Sequence, residues 1–329
     1  MTSTSSTLSR RTAMLGAIGA GAALATSGLP LRPAQAAAPM LGPSKPTVYR
    51  FKLGAYEVTT VYDGAIQLDG PHPIFGMDQK PEDVQKLAAD NLLPTSRMAI
   101  SFAPVLVNTG KELVLFDTGN GAGRRPNAGA LRTELGAAGY TPEQIDVVVL
   151  THFHPDHIGG MMEDGKPAFP NARYVTGGTE YDFWTADKQA SGPTEKNAAL
   201  VKSHVVPMAE RFTFLEDDQS VVSGITSIDA GGHTPGMLAF HVESEGKRLM
   251  ITADTANHYV VSLQRPDWEV RFDMNKKKAA ESRKEIFGMI AADKIPFTGY
   301  HMPFPNVGYV EPMGSGFRYV AAGYQMDLG

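Results

Sequence analysis

The 329-residue chain contains no cysteine. That absence excludes disulfide staples, thiolate metal ligands and a thiol nucleophile together. Basic tracts are almost as scarce. Only Lys276-Lys277-Lys278 qualifies, and it opens a predicted helix over residues 276–292, so nothing marks a nucleic-acid partner. No Gly-x-Ser-x-Gly elbow is present, which removes the usual serine nucleophile. The sequence has no internal repeat, and 42% of its residues are hydrophobic, enough to bury a sizeable core in one domain.

Ser9-Arg10-Arg11-Thr12 precedes a weakly hydrophobic, Gly- and Ala-rich stretch at 15–29, followed by Ala34-Gln35-Ala36. Twin arginines, a soft apolar middle and a small-residue cleavage site read as a twin-arginine export signal over residues 1–36, not as a membrane span. Cleavage after Ala36 leaves a mature domain over 37–329 bound for the periplasm. Loss of Arg10, Arg11 and Arg32 takes the net charge from -5 to -8.

The densest chemistry lies in Thr151-His152-Phe153-His154-Pro155-Asp156-His157-Ile158-Gly159-Gly160. Residues 147–150 are apolar and β-branched, as in a buried strand, and the Pro and Gly beyond them end it. His152 and His154 are two apart on extended backbone, so their side chains point the same way and can grip one ion. Asp156 and His157 come after Pro155 has turned the chain and better serve a second ion. Imidazole with carboxylate suits zinc or a neighbouring divalent metal. One such histidine could be a hydrogen-bonded loop residue; four such groups beside a buried strand would cost several kcal/mol without an ion.

This motif resembles that of the metallo-β-lactamase superfamily. The resemblance extends to Gly231-Gly232-His233-Thr234-Pro235-Gly236, to Asp254 after an apolar run, and to His301 after residues 295–300. It implies one metal on His152, His154 and His233, a second on Asp156, His157 and His301, and Asp254 shared by both. Two divalent ions are therefore expected, with zinc foremost. Asp156 and Asp254 are the carboxylates expected to take part in catalysis. Asp117, ending another strand-like run, is expected to orient the 152–157 loop through an imidazole N–H. The resemblance also implies an α/β fold, the αβ/βα four-layer sandwich. The Gly-rich stretch 119–123 lacks the spacing of a dinucleotide fingerprint and reads as a turn.

Two cations sharing an acid would lower the pKa of a water between them from 15.7 to about 7, which makes hydrolysis the expected chemistry. Glutamate replaces His154 in flavodiiron relatives, classical β-lactamases lack the bridging acid, and RNA-processing members carry basic surfaces. Segments 140–146, 168–172, 182–184 and 316–320 resemble methyl parathion hydrolase and related lactonases and arylesterases. Trp184, His258 and Phe304 are the expected pocket residues, although residues 119–125 lack an aromatic found in methyl parathion hydrolase. The expected activity is opening of lactones, acyl-homoserine lactones among them, or cleavage of carboxylic esters, with promiscuous organophosphate hydrolysis. The alternative is a primary phosphotriesterase; a metal-binding protein without turnover is the non-enzymatic reading. The expected partners are small-molecule ester, lactone or phosphotriester substrates and, by analogy, a second copy in a homodimer.

Along the mature chain the patterns predict strands at 48–53 and 56–62 with Asp63-Gly64 as a turn, at 103–108, 112–117, 173–176, 212–215, 237–242 and 247–253. Helices are predicted at 81–92, 128–138, 178–187 and 195–204.

Overall fold

A computed structural model describes residues 40–323; the twin-arginine segment lies outside them. The chain divides after Ser44, and among the described residues every strand and helix belongs to the unit from Lys45 onward. Its strands run β1 (Val48–Leu53), β2 (Tyr56–Val61), β3 (Gly64–Asp69), β4 (Arg97–Phe102), β5 (Val105–Asn108), β6 (Leu113–Phe116), β7 (Val147–Val149), β8 (Met162–Glu163), β9 (Lys166–Pro167), β10 (Arg173–Gly177) and β11 (Phe212–Leu215). They continue as β12 (Ser220–Val222), β13 (Ile225–Asp229), β14 (Leu238–Ser244), β15 (Lys247–Ile251), β16 (Phe297–Thr298), β17 (Val307–Met313) and β18 (Gly316–Ala321). The helices are α1 (Pro81–Asp90), α2 (Leu131–Ala137), α3 (Pro155–Ile158), α4 (Gly178–Thr185), α5 (Glu195–His204), α6 (Val261–Gln264) and α7 (Lys276–Asp293).

Two seven-stranded mixed sheets form, ordered β1-β2-β5-β6-β7-β10-β11 and β12-β13-β14-β15-β16-β17-β18. Alternation along the strands explains why they stack. In β7, Val147 and Val149 point into the core between the sheets, while Val148 and the adjoining Leu150 point to an outer core. Leu249 and Ile251 of β15 likewise face the shared core and Met250 faces outward. Strands apolar on both faces need cover on both, and helices supply it. The outer face of the first sheet is closed by Leu131 and Leu135 of α2, Trp184 of α4 and Val201 of α5. The second is closed by α7, whose Ile286, Phe287 and Ile290 follow helical spacing. The predicted four-layer αβ/βα sandwich is the fold observed.

Local signals account for two of the helix starts. Pro81 opens α1 with Glu82 and Asp83 in its first turn, and Asn275 caps α7 by accepting from the Lys278 amide. Two expectations fail. Asp63-Gly64 is not a hairpin turn: the β1–β2 hairpin closes at Gly54-Ala55, and Asp63 is a buried corner leading into β3. Its carboxylate accepts from the amides of Asn120, Gly129 and Leu131 and from Asn120 Nδ2, which is why an acid stands there. The predicted strand at 103–108 begins only at Val105, because Ala103-Pro104 break it from β4, which pairs with β3 as a separate ribbon. Among the described residues no helix is long and apolar enough to cross a membrane.

Candidate metal centre

Every predicted ligand leaves the C-terminal end of a strand. His152 and His154 follow β7, Asp156 and His157 lie on the single turn α3, and His233 follows β13. Asp254 and His301 follow β15 and β16. Parallel neighbours β6–β7 and β15–β16 bring these ends to one edge of the sandwich. Rigid strands thus aim side chains that are far apart in sequence, His152 and His301 at the extremes. Two backbones beside the site are held in the left-handed region, Asp117 at φ 61° and Ala253 at φ 45°, a conformation that non-glycine residues adopt only under surrounding constraint.

The seven side chains converge in two groups, His152, His154, His233 and Asp254 in one and Asp156, His157 and His301 in the other, each with donor atoms within 4.8 Å. His154 Nδ1 lies 3.1 Å from His152 Nε2 and 2.9 Å from His233 Nε2. Asp254 reaches both groups: Oδ2 is 3.2 Å from His233 Nε2 and 3.0 Å from His301 Nε2, and Oδ1 is 3.2 Å from His157 Nε2.

The partners on the far side of each ring decide what these approaches mean. His157 Nδ1 donates to Asp117 Oδ2 at 2.8 Å, His233 Nδ1 to Asp273 Oδ1 at 2.9 Å, and His301 Nδ1 to the Ser101 carbonyl at 2.8 Å. A neutral imidazole that donates from Nδ1 turns a lone pair outward at Nε2. Lone pairs of neutral His233 and His301 would then face a carboxylate at about 3 Å, an arrangement that repels unless a proton or a metal ion lies between. Buried His157 Nε2 and Asp254 Oδ1 have no hydrogen-bond partner, the signature of atoms waiting for a ligand. Donors bound at about 2.0–2.1 Å around one zinc stand roughly 2.9–3.4 Å apart. His154 with its two neighbours and Asp254 with His157, His233 and His301 match this, while Asp156 stands 3.7 Å from both His157 and His301, and His152 stands 3.9 Å from Asp254. The residues therefore fit two divalent ions.

Without ions the charges are shared among the side chains themselves. Burial and its neighbour His233 hold the His154 imidazole down to about 3. Burial would lower His233 as well, but hydrogen bonds to Asp254 and Asp273 outweigh it and push that ring up to about 9. Burial would raise Asp254, yet the adjacent His301 and His157 keep its carboxyl well below the usual range.

Asp117 sits where expected, against His157, and also accepts from the Thr151 amide and hydroxyl, whose oxygen in turn takes the His152 Nδ1–H at 3.1 Å. Sequence reasoning missed the matching device on the other side. Arg283, fully buried on α7, donates to Asp273 Oδ2 at 2.8 Å and to the Thr255 and Pro266 carbonyls. It also missed Tyr300, whose ring lies 3.9 Å from that of His157 and whose hydroxyl donates to the Asp156 carbonyl. Arg283 lies on the predicted helix at the i-4 position to Phe287, so only an arginine among core positions could have flagged it.

A cavity of about 620 Å³ opens over the centre, lined by His154, Asp156, His233, Asp254 and His301 with Ile66, Leu68, Ile100, Phe102 and Phe272. The three expected pocket residues do not line it. Trp184 is buried in the core beneath the site, its Nε1 donating to the buried Glu180, with its ring 6.2 Å from His154. His258 lines a neighbouring cavity, its Nδ1 accepting from the Val260 and Val261 amides. Phe304 stands outside the cavity, after the His301 turn, in a half-buried position. His258 and Phe304 are suggested by position near a ligand in sequence and Trp184 by the family resemblance; the ribbon β3–β4, invisible in the pattern, supplies the wall instead.

Comparison with known proteins agrees with this architecture. The chain is 26% identical to the dizinc quorum-quenching lactonase AidC, solved with a product, over 84% of this chain and 97% of that one, with a TM-score of 0.77. It is also 26% identical to the hydrolase AbOPH of the beta lactamase superfamily, over 85% and 99%, with a TM-score of 0.78. Among curated proteins, the N-acyl homoserine lactonase AttM of Agrobacterium fabrum strain C58 is 30% identical over 37% of this chain and 46% of its own length. The probable metallo-hydrolase YflN of Bacillus subtilis strain 168 is 27% identical over 54% and 75%. The match to AttM thus spans less than half of that relative. The family profile itself covers residues 104–293, more than half of the chain, and takes in every ligand position except His301, so the chain belongs to the metallo-beta-lactamase superfamily.

Proposed function

We propose that the protein is a dinuclear-metal hydrolase that opens lactones, with acyl-homoserine lactones as the leading substrate class and carboxylic esters as a secondary one. The observation that carries this reading is Asp254, one carboxylate within 3.2 Å of histidines from both donor groups. Two divalent ions, zinc foremost, would supply Lewis-acid polarisation of a carbonyl and acidification of water. The protein's own part is orientation. Asp117 and Asp273 fix the rings of His157 and His233 from behind, and Asn257 Nδ2 donates to Asp254 Oδ2 at 2.8 Å. The apolar wall of Ile66, Leu68, Ile100 and Phe102 offers an acyl chain a dry surface beside the donors. Lactonases among the relatives and solved structures support the same reading.

Phosphotriester hydrolysis of the methyl parathion hydrolase type is the second reading, favoured by the aromatic faces of Phe102 and Phe272 in the cavity. We place the enzyme after export through its twin-arginine segment, in the periplasm. The deciding experiment compares kcat/KM across lactone, ester and phosphotriester panels on zinc-loaded protein, with metal content measured for the wild type and for Asp254→Ala. Lactones are expected to lead, and Asp254→Ala is expected to lose at least one metal and about a hundredfold in rate. Full turnover in that variant would sink the dinuclear reading.

A further inference from the structure

The cavity over the metal centre carries two guanidiniums that the hydrolysis of a neutral lactone does not require. Arg124 and Arg271 both line it. Arginine ion pairs among the described residues belong to Arg125, Arg173, Arg248, Arg283 and Arg318, so neither Arg124 nor Arg271 has a carboxylate within bonding distance. The one other acid in the lining besides Asp156 and Asp254 is Asp69, exposed at the end of β3 and paired with neither.

Arg124 is half-buried, and Arg271 is exposed where it lines the cavity. Arg124 lies over the Phe102 ring, Cζ 5.6 Å from its centre, and the same ring meets His301 at 5.6 Å in an edge-on arrangement. One guanidinium thus stands a single aromatic ring from the His301 side of the centre. Arg271 is fixed by its amide, which donates to the Ile74 carbonyl at 2.8 Å, and lies two positions before Asp273, the residue that holds His233. The Arg271 backbone therefore stands on the His233 side of the cavity. The same cavity is lined by the apolar ribbon face of Ile66, Leu68, Ile100 and Phe102.

We infer that the preferred substrate carries an additional carboxylate, on the part of the molecule that leads away from the scissile ester or lactone, and that Arg124 and Arg271 receive it. A planar fork without a protein partner matches a carboxylate in two parallel hydrogen bonds, and a neutral alkyl tail would leave both forks unused. The inference rests on the hydrolase reading and narrows its substrate class.

The test uses ligand pairs that differ only at the far end. Calorimetry on the zinc-loaded protein compares adipate with hexanoate, both of which offer the metals one carboxylate while only adipate offers a second. Kinetics compares the 5-carboxypentanoyl with the hexanoyl homoserine lactone. The wild type is expected to favour the doubly functionalised member about tenfold in each pair, and the Arg124→Gln/Arg271→Gln double variant to reduce that preference to within about twofold. Because each comparison is a ratio within one protein, a general loss of folding or metal lowers both members and leaves the ratio in place. A wild-type ratio near one, or a preference that survives in the double variant, overturns the inference. Arginine-dependent binding of adipate with no lactone turnover would keep the anion site and refute the hydrolase reading, whereas equal turnover of both lactones would do the reverse.

Discussion

At the scale of single residues, the centre depends on groups that never touch a substrate. Arg283 and Asp273 are both 1% exposed at the side chain and 2.8 Å apart. Removing one partner of such a pair leaves the other charge buried alone. Arg283→Met is expected to cost about 3–5 kcal/mol in urea unfolding. Asp273→Asn keeps the size but weakens the grip on His233 Nδ1, and competition with a chelator should show metal affinity about 10–100-fold weaker. Affinity equal to wild type would mean that His233 orients itself. His258 gives a residue-scale prediction of another kind. Burial holds its imidazole down to about 4, below the ordinary value of 6.5. Between those values the unfolded chain binds the proton and the folded one does not, so stability is full above about pH 6.5 and is lost as pH falls toward about 4. His258→Asn, which can still accept from the Val260 and Val261 amides, should narrow the stability loss between about pH 7 and about pH 4.5 by roughly 1–3 kcal/mol. An unchanged pH profile would show that the ring is not the titrating group.

At the scale of elements, the loop that carries four of the seven ligands is locked by close backbone approach. A Cβ on Gly160 would lie 1.9 Å from the Thr118 carbonyl oxygen, and Thr118 in turn is tied to His157 by its amide and hydroxyl, both donating to the His157 carbonyl. Gly160→Ala must push α3 away from β6, and the expected result is loss of the metal served by Asp156 and His157 with the other retained in part, read as metal per chain by elemental assay. Two metals per chain in that variant would contradict the argument. The same elements show what a sequence can disclose. Buried parallel strands such as β7 are legible because they are short and apolar on both faces, and the helices α1 and α7 are legible from Pro81 with its first-turn acids and from the spacing of Ile286 and Ile290. The four ligands of the 152–157 cluster are legible because no core needs such side chains, whereas His233, Asp254 and His301 are reached only through the family resemblance. The ribbon β3–β4 was not, since Gln67, Asp69 and Arg97 alternate with Ile66, Leu68 and Ile100 on a strand pair that is solvated on one face and packs only after folding. That hidden ribbon is the cavity wall, which explains why the ligands were located from sequence and the pocket residues were not. Strands β17 and β18 escaped for a related reason: their exposed Glu311, Pro312 and Arg318 dilute the apolar pattern.

At the scale of the whole molecule, the chain completes one sheet before it begins the other. All seven strands of the first lie between Val48 and Leu215, and all seven of the second between Ser220 and Ala321. The donors divide along the same line. His152, His154, Asp156 and His157 come from the first half, while His233, Asp254 and His301 come from the second. Neither half alone can complete either donor group, so bound cations would act as rivets across a seam. A gene cut between Asp217 and Asp218 would turn the enzyme into a zinc-gated switch. Its two pieces, co-expressed, should regain lactone opening when the metal is supplied and fall silent when it is withdrawn, and activity indifferent to zinc would show that the seam holds without its rivets.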